Sequence, residues 1–206
     1  MKYKVEDLEN NSKFVLLKKV SYNDLLPFVL DYIKKWTALS AIFFSSCILF
    51  FVIALYIRIN ISDLCPRFQI FLHTMLGFFI FPLLCIPLHE GLHIVPYYLA
   101  GARDIRVGMD LKQLMFYVTA HKYVAKPGIF SIVAVLPFIL ISAATLFMIY
   151  LLPPVWKWSF SLFMFVHATM CAGDYALLNY YFVNRDKKIY TYDDADNKEA
   201  FFYQEL

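Results

Sequence analysis

The sequence predicts an all-α membrane protein of four transmembrane helices, with a small cytoplasmic β-hairpin between helices 2 and 3. Three observations predict it. Of 206 residues, 61% are hydrophobic and 17% charged, with a mean hydropathy of +0.58, whereas soluble domains carry charge on about a quarter of their residues. Four apolar stretches reach the roughly 20 residues that a helix needs to cross a hydrocarbon core. Between the second and third, Ile105, Val107 and Met109 alternate with Arg106, Gly108 and Asp110, the period of a strand.

Residues 1–36 form a cytoplasmic segment. They are charged and lack the short apolar core and small-residue site of a cleavable signal, so the first span is expected to be an uncleaved anchor. Within them, Ser21 to Trp36 reads as an amphipathic helix on the interface, with Leu25, Leu26, Val29 and Ile33 on one face and Asp24, Asp31, Lys34 and Lys35 elsewhere. The spans cover about 37–59, 68–99, 128–152 and 158–183, and together make one domain, 37–183. Trp36, Trp156 and Trp158 sit at span ends, where indoles favour the headgroup layer. Residues 184–206 read as a short polar cytoplasmic tail.

Lys and Arg number seven in residues 1–36, five in 100–127 and four in 184–206, against two in 58–67 and one in 153–158. Positive charge stays on the cytoplasmic side, so both termini and the central loop are expected there. The second span is long: thirty-two residues at about 1.5 Å each reach roughly 48 Å, against a core of about 30 Å. Pro82, Pro87 and Pro96 can each kink it. After a polar turn, residues 115–124 are rich in β-formers and complete the hairpin. Its edge serves either to hold an extended segment by strand addition or as a plain connector.

Other classes are excluded. No basic face interleaves with stacking aromatics, so nucleic acid is not an expected partner. Cys47, Cys65, Cys85 and Cys171 lack CxxC spacing, which argues against a disulfide framework.

The chemistry is carried by His89-Glu90-Gly91-Leu92-His93. Two histidines four apart share a helix face and can reach one metal ion, and the glutamate beside them can take a proton from water. Ionisable groups in a span are costly, about 2.5–3.5 kcal/mol for a central charge, and a bound metal would compensate. A hydrolytic zinc site takes three protein ligands and keeps one open position. Asp174 is the only aspartate inside any predicted span. With spans two and four both running outside to inside, His89 lies ten residues before Leu99 and Asp174 nine before Val183. Both therefore sit about 14–15 Å from the cytoplasmic ends. Gly173 next to Asp174 would allow close approach of a helix or metal.

The competing ligands are weaker. His167 is two turns from Asp174 on the same face, roughly 10 Å deeper; it reads as a support to the site, a pocket group or a histidine bonded to a carbonyl. His73 reads as structural, His121 belongs to the loop, and Cys85 and Cys171 read as small apolar fillers. His167 and Asn179 are the candidate oxyanion helpers.

On these residues the chain resembles bacterial membrane proteins described as putative zincin peptidases, a domain of unknown function that places HExxH in one transmembrane helix and a Gly-Asp pair in a later one. The resemblance covers roughly residues 70–200. It is more distantly similar to the site-2 proteases, although Tyr175 follows Asp174 here and no Asn-Pro precedes it. The resemblance implies one Zn2+ ion held by His89, His93 and Asp174, with Glu90 as the catalytic acid/base. The expected activity is hydrolysis of peptide bonds in membrane-embedded or membrane-adjacent proteins or peptides, and the expected location is the bacterial cytoplasmic membrane. An inactive metal-binding scaffold gripping a membrane partner, and less so a metal-ion transporter, remain the alternative readings.

Overall fold

A computed structural model describes residues 3–110 and 115–206. It is mostly helical, with two small antiparallel sheets at one end of the helical layer. Helix α1 (Val5–Asn10) and strand β1 (Phe14–Ser21) precede α2 (Leu25–Ile33) and α3 (Ala38–Asn60). Helices α4 (Arg67–Met75) and α5 (Phe81–Ala100) run on through a π turn at Leu76–Ile80. Strands β2 (Ile105–Asp110) and β3 (Met115–Ala120) lead to α6 (Pro127–Leu151), α7 (Pro154–Met170) and α8 (Ala172–Val183), then β4 (Lys188–Asp194) and β5 (Glu199–Glu205).

Three helical stretches among the described residues are long and apolar enough to cross a membrane: Ala38–Asn60, Arg67–Ala100 and Pro127–Leu151. The pair α7 and α8, bent by 42°, makes a fourth if it is one span. The outer faces are greasy: Ile48, Leu83, Leu84 and Phe147 are each about 60% exposed or more. Such an apolar belt is far larger than the patches water-facing proteins carry.

Local chemistry sets the helix ends. Thr37 caps α3 with a reciprocal box: its Oγ1 accepts from Ser40 N, and Thr37 N donates to Ser40 Oγ at 2.8 Å. Gly101, at φ 100°, ends α5, where the N–H of Ala102 returns to Tyr97 O at 3.0 Å. The long second stretch, Arg67–Ala100, runs through the π turn and keeps Pro87 and Pro96 inside α5. Pro82 lacks the N–H that the Phe78 carbonyl would receive in an α-helix, which favours a widened turn just before it. Gly77 lies in that turn against the backbone of Ser159, where a Cβ would clash. His73 Nδ1 meets Ser159 Oγ at 2.7 Å, so this histidine ties α4 to α7.

The all-α expectation is incomplete. Beside the β2–β3 pair, whose polar turn lies outside the described residues, stands a three-stranded antiparallel sheet in the order β1-β5-β4. Residues 184–206, expected to be a polar tail, hold β4 and β5, and β1 from the N-terminal segment pairs Phe14 with Glu205 and Ser21 with Glu199. One face, with Ile189 and Phe202, packs on Tyr180 of α8 and Phe28 of α2. The other, with Tyr190, Tyr192 and Tyr203, packs on Leu8 of α1. Residues 121–125 then join β4 to the hairpin: Ala125 and Thr191 exchange backbone bonds at 2.8 and 3.1 Å.

Helix α2 is amphipathic as expected, but its buried stripe is rotated to Phe28, Tyr32 and Ile33, leaving Leu26 exposed. Asn179 of α8 fixes it in place. The Asn179 amide nitrogen donates to Tyr32 O at 2.7 Å and Lys35 O at 2.9 Å, and its carbonyl accepts from the Thr37 hydroxyl. The amide is thereby occupied, which removes Asn179 as an oxyanion helper.

Candidate metal centre

Helix α5 buries one stripe: Pro82, Cys85, His89, His93 and Pro96. Their spacing follows the helical period, so the two histidines lie in the packed interior while Leu84, Leu88 and Leu99 face outward. His89 and His93 bring their Nε2 atoms to 3.2 Å. Asp174 enters from the first turn of α8, just beyond the bend after α7. Its Oδ2 is 3.4 Å from His89 Nε2 and its Oδ1 3.5 Å from His93 Nε2. Glu90 is half-buried on the next position of α5, with a carboxylate oxygen within 4.8 Å of ligating nitrogens of both histidines.

These separations fit a metal ion. Four ligands at the usual Zn–N distance of about 2.0–2.1 Å in a tetrahedron stand about 3.3–3.4 Å apart. The two Nε2 atoms, 3.2 Å apart, are near that edge, and the carboxylate of Asp174 turns one oxygen to each of them, at 3.4 and 3.5 Å. The donor set, two imidazoles and a carboxylate, suits zinc.

The tautomer of His93 is set from α6. Its Nδ1 lies 2.9 Å from the Val133 carbonyl, which can only accept. The proton is therefore on Nδ1, and the Nε2 lone pair is free for a metal. Pro137 explains why that carbonyl is available: in an α-helix Val133 O would receive the N–H of residue 137, and proline has none. His89 is held differently, its Nδ1 facing Nε2 of His167 at 3.1 Å.

All four predicted site residues line one cavity of about 370 Å³. His89, Glu90, His93 and Asp174 form its floor. Leu25 and Val29 of α2, Met115 to Thr119 of β3, and Thr191 and Asp193 of β4 form its roof. A Cβ at Gly173 would meet nothing within 4 Å, so the expected close approach there is not made; the glycine leaves room in the cavity wall instead. A larger cavity of about 730 Å³ lies between α1 and the sheet, with Glu9 and Lys122 in its walls but no histidine or cysteine. The sequence reading missed the roof from β4; of its readings of His167, support to the site is the one that the contact with His89 fits.

Searches of curated proteins and of solved structures return no match. A family model described as "Putative zincin peptidase" matches residues 82–190, a stretch that contains His89, Glu90, His93 and Asp174. Matched over more than half of its length, the chain belongs to this putative zincin peptidase family.

Proposed function

We propose that the chain is a zinc-dependent intramembrane metallopeptidase that cleaves membrane-embedded or membrane-adjacent peptide segments. One observation carries this: two imidazole nitrogens and a carboxylate converge within 3.2–3.5 Å beside Glu90 in a cavity among apolar helices. In this reading α3, α4 with α5, α6, and α7 with α8 are four spans. Both termini and both sheets face the cytoplasm, where positive charge gathers, and the site opens to that side.

His89, His93 and Asp174 would hold one zinc ion. When bound, zinc supplies Lewis acidity, lowering the pKa of a water toward 7 and polarising a peptide carbonyl. Glu90 takes one proton from the attacking water. It then delivers that proton to the departing amine nitrogen as the C–N bond breaks, leaving a carboxylic acid and an amine. The β3 strand at the cavity wall supports binding of an extended segment by strand addition, since a helical substrate keeps its carbonyls hydrogen-bonded.

The test is Glu90→Gln in purified full-length protein reconstituted with tagged single-span model substrates. The variant is expected to keep its zinc and to lose cleavage by about 10²–10⁴-fold. Equal activity in the two proteins, at background level on every substrate, would favour the inactive scaffold.

A further inference from the structure

His167 is completely buried in the last turn of α7 and takes no part in the peptide-cleaving step set out above. Its Nε2 lies 3.1 Å from Nδ1 of His89. Its own Nδ1 has no hydrogen-bond partner among the described residues. The neighbouring Cys171 thiol donates to the backbone carbonyl of His167 at 3.3 Å, and its sulfur lies 3.9 Å from His167 Nε2, farther than the His89 nitrogen.

Two ring nitrogens in contact share one proton, so one is an N–H and the other a lone pair. If His89 Nε2 is to face His93 and Asp174 as a lone pair, the His89 proton must sit on Nδ1. His167 Nε2 must then be the acceptor, and the His167 proton must sit on the partnerless Nδ1. The opposite assignment would put a proton on His89 Nε2 and point it into the ligand cluster. For His93 the same task falls to the Val133 carbonyl; for His89 the group that meets Nδ1 is the imidazole of His167.

We infer that His167 is a positioning residue: it accepts the Nδ1 proton of His89 and so holds that ring in the tautomer and orientation that present Nε2 to the metal. The inference rests on the metal-centre reading, and it asks nothing of the peptidase step. A rival arrangement is a metal held by His89, His167 and Cys171, whose ligating atoms lie within 4.8 Å of one another.

The test uses full-length protein in detergent, with zinc affinity read by chelator competition and the site by the absorption of its cobalt form. His167→Leu removes the acceptor and is expected to weaken zinc binding about 10–100-fold, with one ion still bound at saturation. His167→Gln restores an acceptor oxygen and is expected to return affinity and cobalt spectrum close to wild type. In zinc-loaded wild type, ¹⁵N-histidine NMR should find the proton of both His89 and His167 on Nδ1, a result that does not depend on the variants folding. Wild-type affinity in His167→Leu, a proton on His167 Nε2, or metal coordination by His167 itself would each overturn the inference. Failure of the wild type to bind zinc would overturn it together with the metal-centre reading. The expected pattern in a protein that cleaves nothing would support it while removing the peptidase reading alone.

Discussion

On the floor of the cavity, His89 and His93 stand one helical turn apart on α5 and Asp174 faces them from α8. On the roof, side chains from α2, β3 and β4 come from positions as far apart as Leu25 and Asp193. The floor sits on helices that pack through buried stripes and offers two imidazole nitrogens and a carboxylate facing one another. The roof sits on strands and a short amphipathic helix, held by Asn179 and by the pairing of the two ends of the chain. The contrast suggests a division of labour. Changes to the floor should alter metal binding and leave the fold in place, and changes to the roof should alter stability and leave the metal alone.

The largest expected effect is on the floor. Asp174→Ala removes the carboxylate that lies 3.4 Å from His89 Nε2 and 3.5 Å from His93 Nε2. Zinc affinity should fall by at least about a hundredfold, which is about 3 kcal/mol. The thermal midpoint of the metal-free protein should barely move, because the side chain lines a cavity rather than filling a packed gap. Unchanged affinity in chelator competition would take Asp174 out of the ligand set.

The roof gives the next effect, through pH. Burial pushes the Asp193 carboxyl up to about 7, with a hydrogen bond from Tyr22 acting in the opposite direction. An aspartate in the unfolded chain ionises near about 3.9. Between those values the folded chain holds a proton that the unfolded chain has released. The stability that this carboxyl contributes is therefore full below about pH 4, falls as pH rises toward 7, and is gone above. Thermal midpoints measured from pH 5 to 8 should decline in wild type more steeply than in Asp193→Asn, with zinc affinity at fixed pH the same in both. Parallel curves would show that this carboxyl ionises freely in the folded protein.

The same division decides what could be read from the chain. Floor features are local or depend on one count along a helix. HExxH places two rings on one face by periodicity alone, and Asp174 is reached by counting turns from the span ends. Helix α3 runs Ala38–Asn60 against a predicted 37–59, since a long apolar run has few ways to fold. The roof depends on pairing residues 14–21 with 199–205. No local period announces a partner that far away, and Lys188 and four acidic residues among the tyrosines of β4 and β5 give those segments the look of a tail. The break in the fourth stretch was hidden for another reason: no proline marks residues 170–172, and the bend lies at Cys171. His167 was visible as a residue but not as a partner of His89, because that depends on which way a ring nitrogen points.

The smallest effect probes the floor where a backbone group, rather than a side chain, does the holding. Pro137→Ala supplies an N–H to a carbonyl that His93 Nδ1 now occupies at 2.9 Å. The two donors then compete, although a carbonyl has two lone pairs and can serve both at some loss of geometry. Zinc affinity is therefore expected to drop only about threefold to tenfold, less than the 10–100-fold typical of losing such a partner outright. Helix α6 regains an internal hydrogen bond at the same time, so the thermal midpoint should hold or rise. A variant that is no less stable yet binds zinc less well would mean that Pro137 serves the centre rather than the fold. Unchanged affinity would show that the carbonyl serves both donors without cost, and would leave the His89–His167 contact as the one support of the metal ligands that depends on a side chain.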